Sequence, residues 1–270
     1  MITRYIFILL ATGAGVGFLS GLLGVGGAFI MVPIMYWVIE AMGISPSAAI
    51  RVAFGTSLLV VLPTAMSSAW AHNKRRAVLW RAALILGSCG LVGALAGATL
   101  AAHLPGEVLK IGFGGLLLAV ALLMGLGGVL KPAHEVEEPK NKLISLVACG
   151  FPIGIITGLA GIGGGIVMVP VMVSVLSFPM HLAVGTSTAA ILFTSLGGII
   201  GYIVNGIGVP GLLPHSIGYI NLPIWLSLAT ASVPMTQLGA KVAHALPAKQ
   251  LKYIFIALMV YLGLRMIGVF

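Results

Sequence analysis

Apolar residues run along this chain in long blocks, each close to the length of a membrane-crossing helix. The blocks occupy roughly 4–23, 27–42, 47–71, 78–102 and 107–130, then 143–160, 165–178, 181–205, 218–243 and 248–269. About 20 helical residues cross some 30 Å of hydrocarbon, so most blocks are long enough, while the second of each five is short. None alternates with the period of two that a membrane barrel requires. The expected fold is therefore all-α, a polytopic membrane protein with two repeats of about five helical segments each. Whether the short second and seventh segments span or re-enter stays open at this point.

The plainly solvated stretch is "KPAHEVEEPKNK", which divides the chain into a first membrane repeat (1–130), a cytoplasmic linker (131–142) and a second membrane repeat (143–270). Internal repetition supports the division. "GLLGVGGAFIMVP" (21–33) returns as "GLAGIGGGIVMVP" (158–170), identical at eight of thirteen positions. Gly13, Gly17, Gly21 and Gly24 recur as Gly150, Gly154, Gly158 and Gly161, each shifted by 137 (158 − 21 = 137). "AFGTS" (53–57) returns as "AVGTS" (183–187), shifted by 130, and "HLPGEVLK" (103–110) as "ALPAKQLK" (245–252), shifted by 142. Unequal shifts imply insertions and deletions in the loops. Five is odd, so the two halves should face opposite ways across the bilayer. Charge agrees, because Lys and Arg gather in short cytoplasmic loops. "HNKRRAVLWR" (72–81) holds Lys74, Arg75, Arg76 and Arg81, whereas its counterpart at 202–221 holds no basic Lys or Arg. Placing 72–81, 131–142 and 241–252 inside puts ten basic residues in and four out, with both termini outside.

Composition sharpens the class. The chain is 60% hydrophobic and 7% charged, with mean hydropathy +1.17, far from the make-up of soluble domains. The net charge of +9 is a matter of loop topology, and no nucleic-acid partner is expected. Cys89 and Cys149 lie in apolar surroundings and read as packing residues, with no disulfide or metal site. The amino-terminal run looks like a signal peptide, but its counterpart "NKLISLVACGFPIG" is mid-chain, so the first segment is expected to be retained.

The glycines have two jobs. Gly13, Gly17 and Gly21, like Gly150, Gly154 and Gly158, form a smooth stripe that lets another helix approach. Gly24, Gly26 and Gly27, with Gly161, Gly163, Gly164 and Gly165, are too dense for packing alone, at about 1 kcal/mol per glycine in a helix. They predict a break, which inside a membrane is tolerated only where buried in protein or lining a wet cavity. Inverted repeats with interrupted helices are a plan of secondary transporters, and helix amino-termini favour anions. The alternative is a merely tight, crowded turn. Thr56 and Ser57, and Thr186 and Ser187, stand near mid-depth, either as ligands or bonded back to their own turn. Ser20 and Thr157, paired by the repeat, and Thr64 and Thr194 extend the polar set. Arg51 and His181 correspond to each other and stand at a helix entrance facing headgroups, or alternatively in a vestibule that attracts anions.

There is no Asp, and the five Glu comprise three in the linker plus Glu40 and Glu107. An intramembrane carboxylate relay is not expected, nor any catalytic, metal or cofactor site. "GVGGAF" and "GIGGGI" lack dinucleotide-binding spacing, so no enzyme is expected.

The doubled glycine signature, each copy followed by A-x-G-T-S, resembles the TauE/SafE (sulfite exporter, TSUP) family over essentially the whole chain. The resemblance implies a plasma-membrane carrier of small sulfur-containing or carboxylate anions, such as sulfite or sulfoacetate. The family's positions map onto Gly24, Gly26, Gly27, Pro33, Gly55, Thr56 and Ser57, then Gly161, Gly163, Gly164, Pro170, Gly185, Thr186 and Ser187. Gly165 stands where the first repeat has Ala28, which would make the half-sites unequal. The expectation is an anion exporter working by alternating access, with no cofactor, the bilayer and a small anion as partners, and a homo-oligomer left open. The alternatives are an anion channel and a non-transporting scaffold.

Overall fold

The computed structural model describes residues 2–23, 27–125, 143–242 and 248–269. Among them the chain forms ten helices: α1 (Ile2–Leu23), α2 (Ala28–Ala41), α3 (Pro46–Lys74), α4 (Trp80–His103), α5 (Gly106–Gly125), α6 (Leu143–Ala160), α7 (Gly165–Ser174), α8 (Met180–Gly206), α9 (Leu222–Val242) and α10 (Ala248–Ile267). Each falls on one of the ten apolar blocks. The linker 131–142, with Gly24 and Gly26, lies outside the described residues. Five helices, α3, α4, α5, α6 and α8, are long and apolar enough to cross a membrane. With 14 and 10 residues, α2 and α7 rise only about 21 Å and about 15 Å. Neither spans by itself.

The ninth block needs a correction. Residues 218–221, expected to be helical, belong to a hairpin of β1 (Ser216–Ile217) and β2 (Ile220–Asn221), paired Ser216↔Asn221 and Ile217↔Ile220. Gly218 turns it at φ 57°. Asn221 then starts α9, because its Oδ1 accepts the Ile224 N–H at 3.1 Å, an N-cap that residues of this type favour. Apolarity marked the segment as buried, which it is, but the cap residue decides where the helix begins.

Small residues set the helix pairs. α1 lies along α9, and α6 along α4. A β-carbon added at Gly13 would sit 2.7 Å from Leu228 O; at Gly17 it would strike Ser232 O. At Gly150 it would lie 2.9 Å from Leu86 O, while Gly154 and Gly158 press on Gly90 O and Ala94 O. Residue numbers rise together in both pairs, so each is parallel. In the centre α3 and α8 run antiparallel, with Gly55 against Tyr202 and Leu58 against Gly198. α5 and α10 are also antiparallel, with Gly114 facing Gly263 and Ile267, and Gly263 facing Leu118. Phe54, Phe113, Tyr202 and Tyr219 stack through ring centroids 5.6, 6.4 and 6.4 Å apart. At the α3–α4 turn, Lys74 Nζ lies 3.5 Å over the Trp70 ring, and Trp80 Nε1 donates to Asn73 Oδ1 at 2.9 Å. Amphipathic indoles beside basic residues are the usual anchor at a membrane interface.

Candidate functional site: two helix breaks around a hydroxyl-lined cavity

Between α6 and α7 the glycines are required by the backbone itself. Gly161, Gly163 and Gly164 have φ of 63°, 76° and 96°, a left-handed region that costs a side chain energy but costs glycine little. Gly164 is the N-cap of α7, and Gly27, at φ 54°, occupies the same place before α2. Space is also lacking. An added β-carbon would lie 2.5 Å from Phe54 Cα at Gly161, 2.7 Å from Val61 Cγ1 at Gly163, 2.7 Å from Thr157 Oγ1 at Gly164 and 2.5 Å from Val16 Cγ1 at Gly27. Gly165 opens α7 and is buried. The broken helices are thus real, and the first N–H groups of each half-helix have no intrahelical acceptor.

The two G-T-S motifs clasp the opposite half of the chain. A β-carbon at Gly55 would lie 2.6 Å from Tyr219 O, and one at Gly185 would strike Ala77 O. Beside those contacts, Thr56 Oγ1 accepts the Asn221 N–H at 3.0 Å, at the start of α9. Thr186 Oγ1 accepts the Leu79 N–H at 3.0 Å, at the start of α4. Each threonine therefore caps the fourth helix of the other half, a role that the sequence, offering only ligand or back-bond, did not suggest. Ser57 Oγ donates to Phe54 O at 2.8 Å and to Gly161 O at 2.6 Å, tying α3 to the second break. Ser187 bonds back to Val184 O at 2.8 Å. Thr157 donates to Ile153 O at 2.8 Å, and Thr194 to Gly163 O at 3.0 Å.

Beside the breaks lies a cavity lined by Ser20 of α1, Val61, Thr64, Ala65 and Ser68 of α3, and Thr188 and Ile191 of α8. It touches both breaks, since Ser20 lies 3.4 Å from the β-carbon position of Gly27, and Val61 and Ile191 lie at 2.7 and 3.5 Å from that of Gly163. Its volume of about 10 Å³ has room for roughly one water. A larger solute requires the surrounding helices to part. Charged side chains are absent from this lining, so the polar groups the cavity offers are hydroxyls. Of the expected site residues, Ser20 lines it, while Gly27 packs against Ser20 and Gly163 against the wall residues Val61 and Ile191. Ser68 and Thr188 were missed by sequence reasoning: Ser68 corresponds to Gly198 and Thr188 to Leu58 at the 130-residue shift, so neither is marked by repetition. Among the described residues, no group of three or more His, Cys, Asp or Glu is placed to hold a metal.

Arg51 is elsewhere, and it is already occupied. Its Nη2 donates to Leu104 O at 2.8 Å, its Nε to Ala101 O at 3.3 Å, and its guanidinium lies 5.8 Å from the Tyr219 ring centroid. It therefore closes the carboxyl end of α4, where a cation is favourable. His181 is exposed at the start of α8. Arg51→Ala should lower the melting temperature, since about 1.5–3 kcal/mol attaches to hydrogen bonds of a charged donor, while leaving anion affinity in calorimetry unchanged. A weakened affinity with an intact melting temperature would show a vestibule role.

Comparison with known proteins bears on the whole chain. The family model for sulfite exporter TauE/SafE matches residues 9–266. A probable membrane transporter protein of Methanocaldococcus jannaschii is 31% identical over 263 residues, covering 96% of this chain and 94% of its own. A probable membrane transporter protein of Haemophilus influenzae is 29% identical, covering 97% and 98%, and the Bacillus subtilis probable membrane transporter protein YunE is 26% identical, also covering 97% and 98%. No solved structure matches. With the doubled glycine break, the multi-pass helical fold and this match from end to end, the chain belongs to the TauE/SafE sulfite exporter family of membrane transporters.

Proposed function

We propose that the protein is a secondary transporter, working as an exporter, of small sulfur-containing or carboxylate anions such as sulfite or sulfoacetate, by alternating access around the cavity between the two breaks. The observation that carries this is that both helix breaks pack against residues of one hydroxyl-lined space, Gly27 before α2 against Ser20 and Gly163 before α7 against Val61 and Ile191. A helix start from each half thus stands next to residues of that space, and the positive end of a helix dipole favours anions. The helix pairing favours an inverted repeat. Exchanging the halves turns α1·α9 into α6·α4 and leaves α3·α8 and α5·α10 unchanged, and equivalent helices that meet do so antiparallel. Inversion relates the two open states by an approximate two-fold rotation about an axis in the membrane plane, each reached by rocking one half against the other. In this reading the basic loop 72–81 lies on the cytoplasmic side of the plasma membrane and both termini lie outside.

Proteoliposomes loaded with unlabelled sulfite or sulfoacetate should accumulate external labelled anion by counterflow, saturably, and Thr64→Val with Ser68→Ala should raise the half-saturation concentration about tenfold. Flux that neither saturates nor responds to anion on the far side would instead identify a channel. No flux of any anion would leave a scaffold.

A further inference from the structure

We propose that the antiparallel pair of α5 and α10 rocks between α7 and α2, and that the Arg265 guanidinium on the Trp37 ring latches it in the position seen here. The inference rests on the transporter reading above and names its moving part. Repetition makes α5 the counterpart of α10, and α7 that of α2, so a contact between α10 and α2 should be matched by one between α5 and α7. The structure breaks that match. α10 packs on α2, with Arg265 Cζ 4.1 Å from the Trp37 ring centroid. At the equivalent place α5 and α7 face each other across a cavity of about 180 Å³, whose walls include Val120, Leu123 and Met124 of α5 and Pro170, Val171 and Ser174 of α7. The shift of 142 takes Arg265 to Leu123 (265 − 142 = 123), and the shift of 137 takes Trp37 to Ser174 (37 + 137 = 174). The positions that clasp on one side are thus the positions that gape on the other. Burial follows the same division: Met266 and Pro33 are buried, whereas their counterparts Met124 and Pro170 are only partly so.

The pair has one docked end and one open end. A β-carbon at Gly114 would lie 2.7 Å from Gly263 O, a backbone approach close enough that the two helices move together. At one end Arg265 rests on α2, a β-carbon at Gly106 would lie 2.5 Å from Ser47 Cα of α3, and the Phe113 ring stands 5.6 Å from that of Phe54. At the other end Leu123, in the wall of the groove, is 50% exposed. Because α5 and α10 are antiparallel, exchanging the halves exchanges these two ends. In the orientation proposed above, the docked end is the outer one and the groove opens at the cytoplasmic one. Rocking the pair onto α7 closes the groove and frees α2 at the outer end, as alternating access requires. The latch works on one side only. Leu123 and Ser174 offer neither a cation nor a ring, so the cation–π attraction favours the position seen here.

The test uses the full chain in proteoliposomes, with Cys89→Ala and Cys149→Ala as background and Leu123→Cys with Ser174→Cys placed across the groove. Oxidation with copper phenanthroline, followed as loss of free thiol by mass spectrometry, should bridge this pair slowly. Trp37→Ala and Arg265→Leu should each speed bridging about three- to tenfold. Together they should add little more, since both remove one contact, and Arg265→Lys should stay near the background rate. The formed bridge should stop sulfite counterflow, and reduction should restore it. Bridging rates unchanged by both Trp37→Ala and Arg265→Leu would overturn the latch, even if melting temperatures fell. Counterflow that continues through bridged protein would overturn the rocking. If the reduced protein carried no anion at all, the transporter reading itself would fall, while the bridging rates would still decide the latch.

Discussion

Gly154→Val should yield almost no monodisperse protein in detergent, whereas Gly15→Ala should behave like the unaltered chain or melt slightly higher. At Gly154 an added β-carbon meets the backbone of Gly90, including its carbonyl oxygen, and valine adds two methyls beyond it. Overpacking costs about 1–3 kcal/mol where neighbours can shift. Here α4 cannot withdraw, because its other side is held against α8: Gly87 meets Phe193, Gly90 meets Thr194, and Ala98 meets Gly201. The cost should therefore exceed that range and threaten a stability of only about 5–15 kcal/mol. Gly15 has open space where its β-carbon would be, and alanine is about 1 kcal/mol better than glycine in a helix. Size-exclusion profiles and melting curves of the two variants decide the matter, and a normally folded Gly154→Val would show that the α4–α6 contact is not a close backbone approach.

Thr56→Val should destabilise by about 1–3 kcal/mol while Thr56→Ser stays near the parent. Valine has nearly the shape of threonine but cannot accept the Asn221 N–H, leaving a buried donor without its partner. Serine keeps the oxygen. Thr186→Val should show the same loss at the start of α4, where Leu79 N is the donor. The two caps join different helices, so the double variant should lose roughly the sum. Denaturant or thermal unfolding in detergent reads these differences. The informative companion measurement is anion binding by the folded fraction of Thr56→Val: retained affinity keeps the threonines as fasteners between halves, and lost affinity with undiminished stability would return them to the ligand set.

These two expectations separate what neighbouring residues dictate from what distant ones do. Hydropathy belongs to short segments, so ten blocks were visible along the chain, and each became a helix on the same span within a few residues. The breaks were equally legible, because a left-handed backbone and a missing β-carbon both demand glycine, and a dense run of glycines has few other uses. The stripe at Gly150, Gly154 and Gly158 announced a close helix neighbour. That this neighbour is α4, from the other half, is invisible in the stripe itself.

Hydroxyl groups were less informative in sequence, since a threonine oxygen serves a solute, its own helix or a remote amide equally well. Thr56 bonds to a residue 165 positions away, and Ser57 to one 104 away; only the folding together of the halves brings those partners into reach. The same holds for Arg51, whose carbonyl partners lie 50 and 53 positions away at the end of α4. Local chemistry determined a helical membrane chain, its segments and its two interruptions, because hydrophobic burial and backbone conformation act within a few residues. Which remote groups the hydroxyls and Arg51 bond to was settled by three-dimensional packing, because a hydrogen bond is made to whatever lies within about 3 Å, regardless of its place along the chain.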